Sequence, residues 1–331
     1  MERFALAAAV VLGFALTAAL CSLFVPLRRV LERREQNQQP VQPEQPRPVP
    51  LRAPLWGGLC AAAGTVAAVG VGWLAACVGQ PELLGSEGRL MTRLLTALAG
   101  SLAFGAVGLA EDLARMRSPA ALGLRRDVRL LLEALAAAFV LLLLQAAGCL
   151  PRGLGVPGAG YVLLGSAVPF LWAVLMVALA ECARIAERDE GTVCGAAFVA
   201  MLALMMAEAG LGVPGLAVLP AALAGALVAL LLWAFPPARL GVGCCGSLLA
   251  AGAIGCIPLS LDMTSLTVPL ALPFWAAGGL LAAQLLGAKR TGKPLRCWVK
   301  KHKMSPETVF LCSFALSAVG YVLALALLRW C

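Results

Sequence analysis

Charge is scarce in this chain. Asp, Glu, Lys and Arg make up 13% of 331 residues, against 61% hydrophobic residues, and the mean hydropathy is +0.90. A soluble fold of this composition would have too little polar surface to cover itself. Histidine occurs once, at His302, and the cysteines follow no standard zinc spacing. A zinc site drawn from Cys244, Cys245, Cys297 and His302 is therefore a poor reading. Disulfides are not framed either: the twelve cysteines are scattered, mostly inside apolar runs (Cys60, Cys77, Cys194, Cys256, Cys312), where they read as small apolar residues. Acidic residues are outnumbered 17 to 26, which gives a formal net charge of +9. Membrane orientation and anionic headgroups account for that excess, so no nucleic-acid partner is called for. No internal repeat is evident.

Ten long apolar runs are what the chain does have, near residues 4–25, 56–78, 90–110, 129–148, 160–180, 193–209, 213–233, 242–260, 267–286 and 309–330. Most approach the ~20 apolar residues that span a hydrocarbon core. Of the 26 Lys and Arg, 21 fall on the odd-numbered connections, and only Arg3, Arg89, Arg93, Arg152 and Arg329 lie at the other ends. The positive-inside rule places those odd connections in the cytoplasm and both termini outside. The fold class is thus all-α, a polytopic integral membrane protein of about ten helices and a single membrane domain over 1–331. The first run is too long for a signal-peptide core and is followed, not preceded, by Arg28 and Arg29. Leu20 beside Cys21 is too bulky for a lipoprotein cleavage point. Within the first connection, residues 36–54 form a Gln/Pro tract expected to be an extended linker. The outside connections, such as 210–213 and 259–265, leave no room for a domain.

Chemistry concentrates on the cytoplasmic connections. Glu111 and Asp112 close the third run, where the partial negative charge of a helix C-terminus disfavours carboxylates. A metal ion or an arginine array would relieve them; the alternative is an ordinary acidic pair balanced by Arg115 and Arg117. Arg129 and Glu133, four apart, could pair on one helix face, or Arg129 could contact a phosphate. The run Glu181-Cys182-Ala183-Arg184-Ile185-Ala186-Glu187-Arg188-Asp189-Glu190-Gly191 is either a solvated loop or a further source of carboxylates for Mg²⁺. Gly241, Gly243 and Gly246 give an exposed backbone able to approach a phosphate. The ninth connection holds seven basic residues together with Trp298 and His302; it is a membrane-facing polybasic segment or a nucleotide diphosphate contact.

In order along the chain, these pieces resemble the polyprenyl-phosphate N-acetylhexosamine-1-phosphate transferase superfamily (glycosyltransferase family 4), and most of all its MraY-like branch, the phospho-N-acetylmuramoyl-pentapeptide transferases. Pro54-Leu55-Trp56-Gly57-Gly58 is similar to that family's Pro-Thr-Pro-x-Gly-Gly. Glu111-Asp112 stands at its Asp-Asp pair, and Gly123-Leu124 through Arg129 to Glu133 follows its Gly-Leu-x-x-x-x-Lys-x-x-x-Gln. Residues 181–191 occupy the slot of Asn-x-x-Asn-x-x-Asp-Gly-x-Asp-Gly, and Gly243-Cys244-Cys245-Gly246-Ser247 resembles Gly-Asp-x-Gly-Ser. Pro294-Leu295 with Ser305-Pro306-Glu307 runs against Pro-Leu-His-His-His and its downstream Ser-Glu-Pro.

The resemblance implies a bacterial-type plasma membrane enzyme with a cytoplasmic active site. It implies transfer of a phospho-N-acetylhexosamine from a UDP-sugar, such as UDP-MurNAc-pentapeptide, to polyprenyl phosphate in cell-wall synthesis, with release of UMP. Implied catalytic residues are Asp112, Glu111 and Glu187, with Mg²⁺ held by Asp112 and Glu187. Implied substrate contacts are Arg129, Gly243, Gly246, Ser247, Lys300 and His302. A homodimer is a further possibility. The departures are Glu111, Glu187 and Glu190 for aspartates, Glu181 and Arg184 for asparagines, and Arg188 for a glycine. Arg296, Cys297 and Trp298 replace histidines, and Cys244 stands where the family has a metal-binding aspartate. Mg²⁺ prefers oxygen ligands and thiolate is a poor substitute. Two alternatives follow: a catalytically impaired relative that binds without turnover, and a small transporter. The second is disfavoured because the acids lie at the cytoplasmic ends and not at the midplane.

Overall fold

The computed structural model describes residues 2–38, 56–79, 88–117, 123–151, 153–156, 160–163, 165–187, 191–213, 215–235, 239–286 and 305–330. Among them are ten helices of fifteen residues or more: α1 Glu2–Gln38, α2 Gly57–Gly79, α3 Gly88–Arg117, α4 Arg126–Ala146, α5 Ala167–Ala186, α6 Thr192–Gly210, α7 Val218–Ala234, α8 Gly243–Ser260, α10 Leu272–Leu286 and α11 Pro306–Trp330; the short α9 is Thr267–Leu270. Each of the ten apolar runs yields one long helix. Seven of them are long and apolar enough to cross a membrane, and α7 is a shorter apolar helix. The chain is an all-α polytopic membrane protein.

Three boundaries differ from the sequence reading. Residues 160–163 are not the start of the fifth helix: they form strand β2, Gly160–Leu163, paired antiparallel with β1, Gly153–Val156, in the register Gly153↔Leu163. Helix α5 begins only at Ala167 and extends to Ala186. In the ninth run, a turn at Ala271 separates α9 from α10, whose second residue is Pro273; proline fits the first turn of a helix, where its missing N–H costs nothing. The third helix does not stop at its carboxylates but continues to Arg117. Its 30 residues measure about 45 Å. That exceeds the ~30 Å hydrocarbon thickness, so the turn beyond Asp112 can reach the headgroup layer.

Helix α8 is the centre of the bundle. All of its 18 residues are buried, whereas only 17% of the α11 span is, which puts α11 at the periphery. Around α8 stand α2, α3, α5 and α6, with α3 making the most extensive contact. Gly, Ala, Cys and Ser dominate α8. Small residues let helix backbones approach within a membrane, where packing rather than water exclusion drives association. Helix α1 packs on α2 and α7 as a second layer. Cys60, Cys77, Cys194 and Cys256 are buried free thiols, as expected of small apolar residues, while Cys312 is exposed.

Candidate active site

Helices α3 and α5 end, and α2, α4, α6 and α8 begin, at one end of the bundle. Here the buried charged groups gather. Glu111 and Asp112 are 2% and 1% exposed, and Arg129 and Glu133 are buried beside them. Burying charge is tolerable only when each group is paired, and the pairing comes from three helices. Arg115 donates to Glu111 Oε1 at 2.6 Å and lies 3.8 Å from Asp112 Oδ1. Arg129 donates from Nε to Glu181 Oε1 at 2.8 Å, with Nη1 3.8 Å from Glu111 Oε1. Arg184 donates to Glu181 Oε2 and approaches Glu111 Oε1 to 4.0 Å. Three guanidiniums, from α3, α4 and α5, thus converge on one carboxylate oxygen.

The i,i+4 partnership expected of Arg129 and Glu133 is the weaker one. Their closest approach is 4.0 Å, beyond hydrogen-bond range, and Arg129 is held instead by Glu181 on α5. Both Glu133 oxygens, Glu111 Oε2 and Arg184 Nε are buried without a hydrogen-bond partner. Glu187 follows the last residue of α5, with its N–H bonded to Ala183 O at 2.9 Å. Its charge acts on Asp112, Arg115 and Cys244, so the three predicted acids Glu111, Asp112 and Glu187 share one neighbourhood.

The glycine-rich turn behaves differently from the sequence expectation. Gly243, Gly246 and Ser247 are buried, not exposed. Gly243 starts α8 with φ +73°, a left-handed conformation that glycine adopts without strain. Asp112 occupies the helix end: Oδ1 accepts the Cys244 N–H at 3.1 Å and Oδ2 the Cys245 N–H at 2.9 Å. A helix N-terminus is a ready anion site, and here a carboxylate of the protein fills it. Ser247 Oγ turns back to donate to Cys244 O at 3.1 Å. The α2 start closes the turn from the other side, Gly57 N–H bonding Gly241 O at 3.3 Å and Gly58 N–H bonding Val242 O at 2.9 Å. The approach is so close that a Cβ on Gly58 would sit 2.1 Å from Gly246 N, and one on Gly108 2.2 Å from Cys244 O.

The fit of a divalent ion follows from these contacts. The expected ligands were Asp112 and Glu187, with Glu111 beside them. Both oxygens of Asp112 accept helix amides, one oxygen of Glu111 faces three arginines, and Cys244 presents its N–H to Asp112. Among the described residues no group of three His, Cys, Asp or Glu side chains is arranged to hold a metal ion. Asp112, Glu111 and Cys244, as arranged here, do not fit Mg²⁺. Of the other predicted positions, Lys300, His302, Asp189 and Glu190 lie outside the described residues, as does most of the polybasic ninth connection. Arg115 balances Glu111, as the sequence allowed; Glu181 and Arg184 were legible as charges but not as partners of Arg129 and Glu111, since nothing in spacing alone joins residues 52 positions apart.

Comparison with known proteins agrees with this layout. Residues 94–262, which carry α3 through the end of α8, match the profile described as glycosyl transferase family 4. The chain is similar to the phospho-N-acetylmuramoyl-pentapeptide-transferase of Synechococcus sp. (strain RCC307), 30% identical over 212 residues, which are 63% of this chain and 55% of that protein. It is 25% identical over 296 residues to the protein of that name from Geobacillus kaustophilus (strain HTA426), covering 88% of this chain and 86% of the other. With the Mycobacterium tuberculosis (strain ATCC 25618 / H37Rv) protein the identity is 27% over 265 residues, 72% of each chain. With a profile match spanning the helices that build the acidic and arginine-lined end, and relatives of one activity along most of its length, the chain belongs to glycosyl transferase family 4.

Proposed function

We propose that the chain moves a phospho-N-acetylhexosamine from a UDP-sugar to polyprenyl phosphate at the cytoplasmic face of a bacterial-type plasma membrane. UDP-MurNAc-pentapeptide is the substrate suggested by the relatives' name. The observation that carries this reading is the convergence of Arg115, Arg129 and Arg184 at one end of a largely apolar bundle. In the transfer, an oxygen of the lipid phosphate attacks the β-phosphorus of the UDP-sugar. The bond from that phosphorus to the bridging oxygen breaks, UMP leaves with its electron pair, and a lipid-linked diphosphate sugar forms. Such reactions need positioning and charge compensation more than covalent help from the protein.

Arg129 and Arg184 supply that compensation, and the buried Arg184 Nε, without an acceptor in the fold, is a donor to a phosphoryl oxygen. Glu111, Asp112 and Glu187 orient the arginines and α8. Gly243, Gly246 and Ser247 shape the turn rather than touch the substrate; Lys300 and His302, outside the described residues, are nucleotide contacts only as the family resemblance implies. The test is UMP release from UDP-amino sugars by purified protein with polyprenyl phosphate. Release that requires the lipid and is lost in folded Arg129→Lys, which keeps the charge but not the guanidinium fork, supports the assignment, and no release from any UDP-amino sugar in folded protein overturns it.

A second reading is favoured by one observation: Asp112, Cys244 and Cys245 are joined into a structural cap in which each oxygen of that acid already accepts a helix amide. On this reading the chain is a non-catalytic relative that binds lipid phosphate or nucleotide sugar without turnover. Asp112→Asn, normally expressed, then leaves the cellular phenotype unchanged; loss of the phenotype overturns it.

A further inference from the structure

We infer that the pocket carries its own counter-cations, with Arg184, supported by Arg115 and Arg129, standing where a divalent ion would otherwise balance the acids, so that the chain binds no magnesium or manganese there. The inference goes beyond the transfer reading and holds whether or not turnover occurs.

Arg184 is the pivotal member. Its half-buried guanidinium lies between two carboxylates on different helices, bonded to Glu181 Oε2 and 4.0 Å from Glu111 Oε1. Arg129 engages the other oxygen of Glu181 at 2.8 Å and also faces Glu111. Glu111 Oε1 further accepts Arg115 at 2.6 Å. A magnesium ion approaching this oxygen would meet three fixed positive charges, and at low local dielectric that repulsion is strong. Of the neighbouring acids, Glu187 also has Arg115 in its field, and Asp112 gives no way round. Asp112 is drawn to the α8 N-terminus by two amides, and Cys244 adds a buried sulfur, a soft donor that suits such an ion poorly. Glu111 Oε2, buried without a partner, is a single oxygen beside the arginine cluster. Guanidinium is planar and permanently charged, which makes it an apt fixed replacement for a mobile cation.

The test is a manganese titration of the purified full chain in detergent, followed by the loss of the free-ion paramagnetic resonance signal, with no nucleotide present. Wild type is expected to leave the signal unchanged up to about 1 mM, the weak end of protein sites for hard divalent cations. Arg184→Asn, which removes the repelling charge and leaves oxygen and space, is expected to bind at least about tenfold more tightly than wild type. Arg184→Lys, which keeps a cation, is expected to stay silent. Uptake by wild type below about 1 mM overturns the inference, as does an Arg184→Asn chain that binds no better than wild type or an Arg184→Lys chain that matches it. If Arg184→Asn does not fold, the wild-type titration decides alone. Because no turnover is read, failure of the UMP-release assay and failure of this inference are separate results.

Discussion

Asp112 Oδ1 accepts the backbone N–H of Cys244 at 3.1 Å, across 132 residues of chain. With the second bond to Cys245, the carboxylate works as an N-terminal cap supplied by a different helix. Caps of this kind contribute about 0.5–2 kcal/mol. Asp112→Ala is therefore expected to lower stability by about 1–2 kcal/mol, and Asp112→Asn, which keeps one acceptor oxygen, by less. Thermal unfolding in detergent, followed by the intrinsic tryptophan signal, checks the order. Equal stability of Asp112→Ala and wild type would show that the cap carries no weight.

Arg129 is held among Glu181, Glu111 and Glu133. Removing it leaves buried carboxylates facing one another, a loss that typically costs about 3–5 kcal/mol. Arg129→Ala should unfold well below wild type, and pairing it with Glu181→Ala should recover part of the loss. A double-mutant cycle on unfolding free energies measures the coupling; strictly additive losses would mean that the 2.8 Å bond contributes little.

Gly58 and Gly108 are sites of backbone contact with α8. An added Cβ at 2.1 or 2.2 Å from main-chain atoms forces α2 or α3 away from α8, with an overpacking cost of about 1–3 kcal/mol. Gly70, by contrast, has nothing within 4 Å of its would-be Cβ, so Gly70→Ala should be neutral or slightly stabilising through helix propensity. The three alanine variants, compared by detergent unfolding, should fall in that order. Activity, if present in wild type, should be reduced in the first two only.

Orientation is open to a direct check. The positive residues crowd the odd connections, so the arginine-lined end is expected in the cytoplasm and both termini outside. Reporter enzymes that work only in the periplasm, fused to the C-terminus, should be active, and cytoplasm-only reporters silent. The reverse pattern would place the proposed pocket on the wrong side for a UDP-sugar.

The helices were legible because each is an apolar run interrupted by charge, and a span has no other way to satisfy its backbone in lipid. What was not legible was tertiary. Gly160-Tyr161-Val162-Leu163 reads as the apolar start of a span, yet it pairs with Gly153–Val156, because a short apolar run suits a strand as well as a helix. Arg129 and Glu133 sit at ideal helical spacing, but Glu181 from α5 offers the shorter bond, and local spacing carries no information about it. Gly243 and Gly246 announce a special backbone without saying whether a ligand or a neighbouring helix comes close; here it is Gly58 of α2. Glu111 and Asp112 could be grouped with Arg115 by helical spacing, while Arg129 and Arg184 join them only through three-dimensional proximity.

Helix α8 is buried in protein along its whole length, and its main neighbours α2, α3, α5 and α6 are all made before it as the ribosome proceeds. Its slot is thus walled by protein already synthesised when residues 243–260 leave the exit tunnel. Such a segment needs only to be passed sideways into a waiting groove, and a bulky replacement anywhere along it would be rejected at assembly rather than at the membrane.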